Sequence, residues 1–386
     1  MLKLQRSMQP FRIITFFTLL AITLIMACNP ENVNSTMTIL AGTTTQGKSE
    51  GIYKLSFDPA TGVLSNEGLA VKTQEPTFLI PSMDPERVYA VNETASFLGK
   101  PGGGVSAFQW DETREKLILL NSRNTLGAHP CNLSKNGRHV SVANYSGGNI
   151  ALFSLDKEGK LEDNPQVRQH EGSGPDSTRQ EAPHAHCVTW RPDSKYLYAV
   201  DLGIDEIIAY PFDKASGALG DGQTAIKVTG GNGPRILTFH PSRKQAFLVN
   251  ELSCTVLSMS YEAGSPVLSP IQEESTLPAD FKGQNTCAHI QLSPDGRFLY
   301  VSNRGHDSIA AFSVSEDGRL KQVAIVSTQG AHPRFFTLTP NGQHLLAANR
   351  DSDSVVVFRI NQKTGVPEPT GIQAAVFSPT CLMFVD

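Results

Sequence analysis

Three arginines, two glutamates, two histidines and a tyrosine stand at related places in well-separated stretches of this 386-residue chain: Arg235, Arg304, Arg334, Glu93, Glu251, His184, His186 and Tyr145. A guanidinium offers a planar fork of donors that matches a carboxylate or a phosphate. A histidine and a glutamate beside it supply a proton acceptor. Gathered in one concave place, such a set would bind an anion, stabilise a developing oxyanion and move a proton. The same residues could instead form an Arg–Glu network that only ties parts of the fold together.

What could gather them is a phrase that returns about every 45 to 55 residues. Its clearest copies are SPDGRFLYVSNRGHDSIAAFSV at Ser293–Val314, TPNGQHLLAANRDSDSVVVFRI at Thr339–Ile360 and RPDSKYLYAVDLGIDEIIAYPF at Arg191–Phe212. Weaker copies start at Asp84, Ser134 and His240. Short alternating apolar strands joined by tight polar turns at that period predict the blades of an all-β propeller. First strands start near Thr77, Pro130, His186, Arg235, Ala288 and Arg334, which gives six full repeats. The fragments Met37–Leu64 and Ser378–Val385 complete a seventh blade, closed by pairing of the N- and C-terminal strands, so that no sheet edge is left open.

In a propeller the first strand of each blade lines the central channel, and the PDG-type hairpins lie together on one face. The starts of first strands and the ends of second strands therefore meet on the other face, at the channel mouth. Asn or Asp recurs at the second-strand ends (Asn92, Asn144, Asp201, Asn250, Asn303, Asn349), as expected of a short side chain bonding the backbone of the next turn. The following residue varies: Glu93, Tyr145, Leu202, Glu251, Arg304, Arg350. Charged positions that differ between repeats and share a concave mouth are candidates for chemistry. His184 and His186 lie on one strand face, and these residues leave open which of them enters the mouth. His129 and His332 belong to AHP turns, where a structural role is at least as good a reading. His289 should point away from the channel.

Composition sets the frame. The chain is 39% hydrophobic, with 32 Gly, 24 Pro and a net charge of −4, and it has no basic block or aromatic–basic RNA-binding motif, which argues against nucleic acid. Lys3, Arg6 and Arg12 precede an apolar run, Ile13 to Ala27, and then Cys28, the pattern of a lipoprotein signal. Residues 1–27 are expected to be removed, Cys28 lipidated, 28–36 left as a tether and 37–386 exported as the propeller, held at the membrane only by its lipid. Of the other cysteines, Cys131, Cys187, Cys287 and Cys381 fall near first-strand starts and read as small buried hydrophobes packed toward neighbouring blades. Cys254 completes the set.

The segments APHAHCVTWRPDSKYLYAVDLG at Ala182–Gly203, GPRILTFHPSRKQAFLVNEL at Gly233–Leu252, SPDGRFLYVSNRGHDSIAAF at Ser293–Phe312 and HPRFFTLTPNGQHLLAANRDSDSVVVF at His332–Phe358 resemble the bacterial lactonase family. That family comprises seven-bladed propellers that include propeller-type 6-phosphogluconolactonases and carboxymuconate lactonizing enzymes. The resemblance covers nearly everything after Thr36, and it implies an active site at His184 or His186, Arg235, Glu251 and Arg304. Departures are Ile236 where a histidine often follows the arginine, Ala288-His289-Ile290-Gln291 where AEIH is common, and a Cys131 strand about two residues short.

Together these readings predict a metal-free and cofactor-free carboxylic ester hydrolase of carbohydrate metabolism, a monomer acting on a small anionic lactone. His186, Glu251, Arg235 and Arg304 would be catalytic; His184, Arg334, Glu93 and Tyr145 would bind substrate. Calcium-dependent propeller lactonases use Glu and Asn ligands, for which Glu93, Asn250 and Glu251 would be available. Alternatives are a non-catalytic surface propeller that binds a carbohydrate or a protein, and a muconate-type cycloisomerase.

Overall fold

Period-two runs of apolar residues form strands throughout the computed structural model, which describes residues 36–82 and 86–385 together with Leu2. The expected signal segment 1–27, the Cys28 lipidation site and nearly all of the 28–36 tether lie outside the described residues. Among the described residues the only helix is the 3-10 turn Arg350–Ser352.

Seven sheets of at least four antiparallel strands are the seven blades. The second to seventh have first strands Leu79–Pro81, Pro130–Asn136, Ala185–Trp190, Pro234–Phe239, Thr286–Leu292 and Pro333–Leu338. The first blade takes its innermost strand, Pro379–Phe384, from the C-terminus and pairs it with Met37–Thr43, in the register Ile39–Phe384 and Ala41–Leu382. The chain ends thus close the ring as the sequence predicts. The Cys131 strand, read as about two residues short, is not shortened: Pro130–Asn136 spans seven residues and pairs to its end (Asn136 with His139) across a two-residue turn.

Second and third strands are buried on both faces, since each blade is stacked between two others; Phe298–Arg304 and Gln245–Asn250 show it. The core therefore lies between blades. Ile39, Leu55 and Leu382 of the first blade pack on Leu346 and Val355 of the seventh, so the closing strand is held by apolar contact as well as by its ladder.

The recurrent Asn is a stitch, though in the opposite direction from that expected. Asn144, Asn303 and Asn349 donate through Nδ2 to the carbonyls of Thr125, Thr276 and Thr328, in the connection that precedes their own blade, at 3.2, 2.9 and 3.0 Å. Asn92 does the same to Gln74. Asp201 also accepts from the next turn, at Gly203 N (2.9 Å). Each stitch ties a second strand to the end of the previous blade, at a place where water cannot replace a lost donor. Asn349→Ala is expected to lower the unfolding free energy by about 1–3 kcal/mol. Asn349→Asp, equally short but without the N–H, should cost at least as much. Urea denaturation reads both, and unchanged midpoints would show that the stitch contributes nothing.

Candidate active site

A regular strand sends its side chains alternately to the two flanking blades and none of them to the axis. Every first strand here breaks that rule at one residue near the mouth. The ladder skips from Pro130 to Asn132, Ala185 to Cys187, Pro234 to Ile236, Pro333 to Phe335 and Pro379 to Cys381 while the partner strand advances by one. The bulged residues are Cys131, His186, Arg235, Arg334 and Thr380. In the sixth blade Ala288 and His289 together face Ser302, and in the second the bonds Glu93 N–Glu75 O and Val91 N–Phe78 O leave Thr77 at the same place. A β-bulge re-aims a side chain, and seven of them build a ring around the axis. Thr77, Cys131, His186, Arg235, Arg334 and Thr380 enclose a cavity of about 20 Å³, room for about one water. At this level the ring leaves space for little more than that water.

Glu251, next to the second-strand end of the fifth blade, is the centre of the mouth. Its Oε2 accepts from Arg235 Nε at 2.7 Å and lies 2.9 Å from Arg304 Nη2. Its Oε1 accepts from Arg179 Nη2 at 2.6 Å. Arg235 also donates to the carbonyl of Ala288, and Arg304 to that of Cys287 at 2.7 Å. Burial would push the Glu251 carboxyl up, but Arg304 and Arg235 outweigh it and hold the group well below the usual carboxylate range. Burial and the neighbouring Arg304 bring Arg235 down to about 10, so it stays charged at neutral pH. Across the ring Arg334 Nη2 lies 3.4 Å from Glu93 Oε2, which also accepts from Thr77. Four guanidiniums thus face two carboxylates, an excess of two positive charges.

The histidines form the adjoining wall. His184 stacks on Tyr145 with ring centres 4.5 Å apart, donates from Nδ1 to the Tyr145 carbonyl (3.2 Å) and has Nε2 3.4 Å from Glu181. His186 meets Tyr145 edge-on and lies deeper, its Nδ1 3.7 Å from Cys131 Sγ. Burial, and then the charge of Arg235, hold His186 well below its ordinary 6.5, which leaves it neutral at pH 7.

All eight residues singled out in the sequence come to this mouth: His186, Arg235, Glu251 and Arg304 to its centre, His184, Tyr145, Arg334 and Glu93 to its rim. The ambiguity between the histidines resolves in position, with His186 in the ring and His184 in the wall. His289 packs against Phe335 at 3.9 Å, away from the mouth. His129 and His332 take left-handed backbone (φ 53° and 58°) before prolines, which suits turn-forming residues. Asn250 Nδ2 is bonded to Thr255 and Glu273, and the Glu251 carboxylate is occupied by arginines rather than offered to a cation. Among the described residues no group of three or more His, Cys, Asp or Glu has metal-binding proximity.

Two residues were missed. Arg179 sits in the connection to the fourth blade, which is folded by Gln180 Nε2 on the Leu202 carbonyl and by Asp176 capping Thr178 and Arg179. A polar stretch just before the PHAH segment was the available signal. Cys131 was read as packing toward a neighbouring blade, whereas the bulge turns it into the ring. Cys187, Cys287 and Cys381 do lie in the inter-blade cores.

Comparison with known proteins agrees with the seven-bladed fold. Residues 38–384 match the family model of the lactonases, described as a seven-bladed β-propeller. The 6-phosphogluconolactonase of Bacillus subtilis is 36% identical over 298 residues, 76% of this chain and 83% of the relative. A crystal structure of a candidate 6-phosphogluconolactonase from Bacteroides fragilis superposes with a TM-score of 0.85 at 39% identity, covering 93% of this chain and all of that one. The periplasmic gluconolactonase of Pseudomonas aeruginosa gives 0.84 at 33% identity, over 91% of this chain and 99% of that one. The chain belongs to the seven-bladed β-propeller lactonase family.

Proposed function

We propose that this protein hydrolyses a sugar-acid lactone at the channel mouth. The observation that carries the reading is the excess of guanidinium charge around Glu251, directly beside a neutral imidazole. Ester hydrolysis develops negative charge on the carbonyl oxygen, and pre-set cations in a poorly hydrated mouth stabilise it without having to reorganise. Arg304 and Arg334, 9% and 19% exposed, would hold that oxygen and the carboxylate that follows. Arg235 and Arg179 are turned to Glu251, which positions them and keeps their charges together.

Water is the nucleophile. His186 takes its proton as the oxygen bonds to the carbonyl carbon. The ring C–O bond then breaks, and the imidazolium returns the proton to the departing oxygen, giving the open hydroxy acid. Glu251 is a poor acceptor, with both oxygens already engaged by arginines. The names of the Bacillus subtilis and Pseudomonas aeruginosa relatives support a gluconic-acid-type ring. Export as a lipoprotein anchored through Cys28 favours the unphosphorylated form, since a phosphorylated sugar lactone is a cytoplasmic compound.

Proton release from glucono-type lactones tests the reading. Arg304→Ala should lower kcat by about 10²–10³-fold while the protein melts cooperatively. Turnover equal to that of the parent would remove Arg304 from the chemistry, and no turnover above the spontaneous rate by either protein would overturn the reading.

The pH profile gives a second test. His186 titrates below 6.5 in the free protein, so it remains an acceptor as pH falls through 6.5 and is lost only below that. The acid limb of kcat/KM, which reports the free enzyme, should lie under pH 6.5. His186→Asn should abolish the limb together with most of the rate, whereas His184→Asn should retain it. A limb at or above 6.5 that persists in His186→Asn would assign the base elsewhere.

A further inference from the structure

The ring is too tight for more than a water, but the mouth opens sideways. Between the fifth and sixth blades lies a groove of about 660 Å³ with Arg304 at its inner end. Its walls are the turn Leu252–Cys254 on one side, and Gly305 and His332 on the other, with the connection from Leu277 to Asn285 closing it. That connection is held in place by Phe281, which packs edge-on against His306 at 4.9 Å, and by Asn285 Oδ1, which accepts from His306 N at 3.0 Å. The groove is a built feature of the fold.

Its chemistry differs from that of the mouth. Ser253, Gln284 and Thr286 offer neutral hydroxyl and amide groups, and Leu252 and Leu277 supply apolar surface. Among the lining residues the only lasting positive charge is Arg304, because burial and then Arg350 bring His332 down to about 4, leaving it neutral at pH 7, while bonds with Cys287 and Asn285 bring the Cys254 thiol down to about 7. Two buried polar atoms along the groove have no protein partner, Arg304 Nε and His332 Nε2. Neutral hydrogen-bonding groups beside apolar side chains suit a polyhydroxylated ring, and a second phosphate or carboxylate would find no further cation. At about 30 Å³ for each water in the liquid, the groove holds roughly twenty waters' worth of space, which a single lactone ring at the mouth leaves largely open.

We infer that this groove is a subsite for a second sugar ring, so that the preferred substrate is a glycosylated aldonolactone. The reaction that supplies it would be oxidation of the reducing end of a disaccharide. This rests on the lactonase reading above, and the test separates the two. Proton release is compared for glucono-1,5-lactone and its 4-O-glucosyl derivative, using the parent protein and Ser253→Trp. Ser253 is an exposed groove residue whose hydroxyl meets only that of Thr255 (2.9 Å), so the indole obstructs the groove without touching the mouth.

The parent should favour the glycosylated lactone by about tenfold in kcat/KM. Ser253→Trp should erase the preference and leave glucono-lactone turnover within about twofold. Equal kcat/KM for the two lactones, unmoved by Ser253→Trp, would overturn the inference while leaving the lactonase reading intact. If neither lactone is turned over, the lactonase reading fails, and calorimetry with the two open aldonates still reads the groove. Tighter binding of the glycosylated acid that Ser253→Trp removes supports the subsite, and equal binding overturns it.

Discussion

The mouth of this propeller depends on one buried carboxylate. Glu251 lies where an unpaired charge would cost several kcal/mol, and it persists because three guanidiniums converge on it from three parts of the chain: Arg235 of its own blade, Arg304 of the next and Arg179 of a preceding connection. The dependence is mutual. Without the carboxylate, Arg235 and Arg304 would repel each other in a poorly hydrated wall, with Arg334 nearby. An anion so fully occupied serves as an anchor for cations and not as a base. On the proposed reaction the proton acceptor would then be a group kept neutral by burial and by the neighbouring cations, as His186 is.

The second constraint is the bulge. Stacked blades use both faces of each first strand for packing, and those positions are filled alike from repeat to repeat by residues such as Leu133, Leu237, Ile290 and Phe336. The bulged residue is excused from packing. In seven blades it is Thr380, Thr77, Cys131, His186, Arg235, Ala288 and Arg334, nearly a different residue each time. Chemistry can vary there without disturbing the core, as it does at the residue after each second-strand Asn or Asp, where the variation in sequence was informative.

How much could be read from the chain follows from the same division. Blade number, closure by the two ends and the gathering of Arg235, Glu251, Arg304, Arg334 and His186 all follow from repeat spacing, because packing fixes the register. What spacing does not encode was missed. Arg179 lies in a connection without a counterpart in other repeats, and its path is set by local bonds such as Gln180 to the Leu202 carbonyl. Cys131 was misassigned because strict alternation was assumed through a strand that bulges. The Asn stitches were recognised as structural from their recurrence, but their direction depends on how one blade meets the last, which a single repeat does not contain.

The polar groups are also distributed unevenly around the ring. Arginines occupy an arc through the fifth, sixth and seventh blades, extended by Arg179, while Tyr145, His184 and His186 make a weakly charged wall on the third and fourth. Thr77 and Thr380 on the first and second blades are neutral. On the proposed reaction this asymmetry would orient a lactone, with its carbonyl oxygen drawn to the arc and the face of its carbonyl carbon turned to His186. The groove beside Arg304 opens from the same arc, so any substituent accommodated there lies away from the histidine wall. On that reading orientation, charge stabilisation and room for a substituent would all stem from one cause, the arginines collected by Glu251.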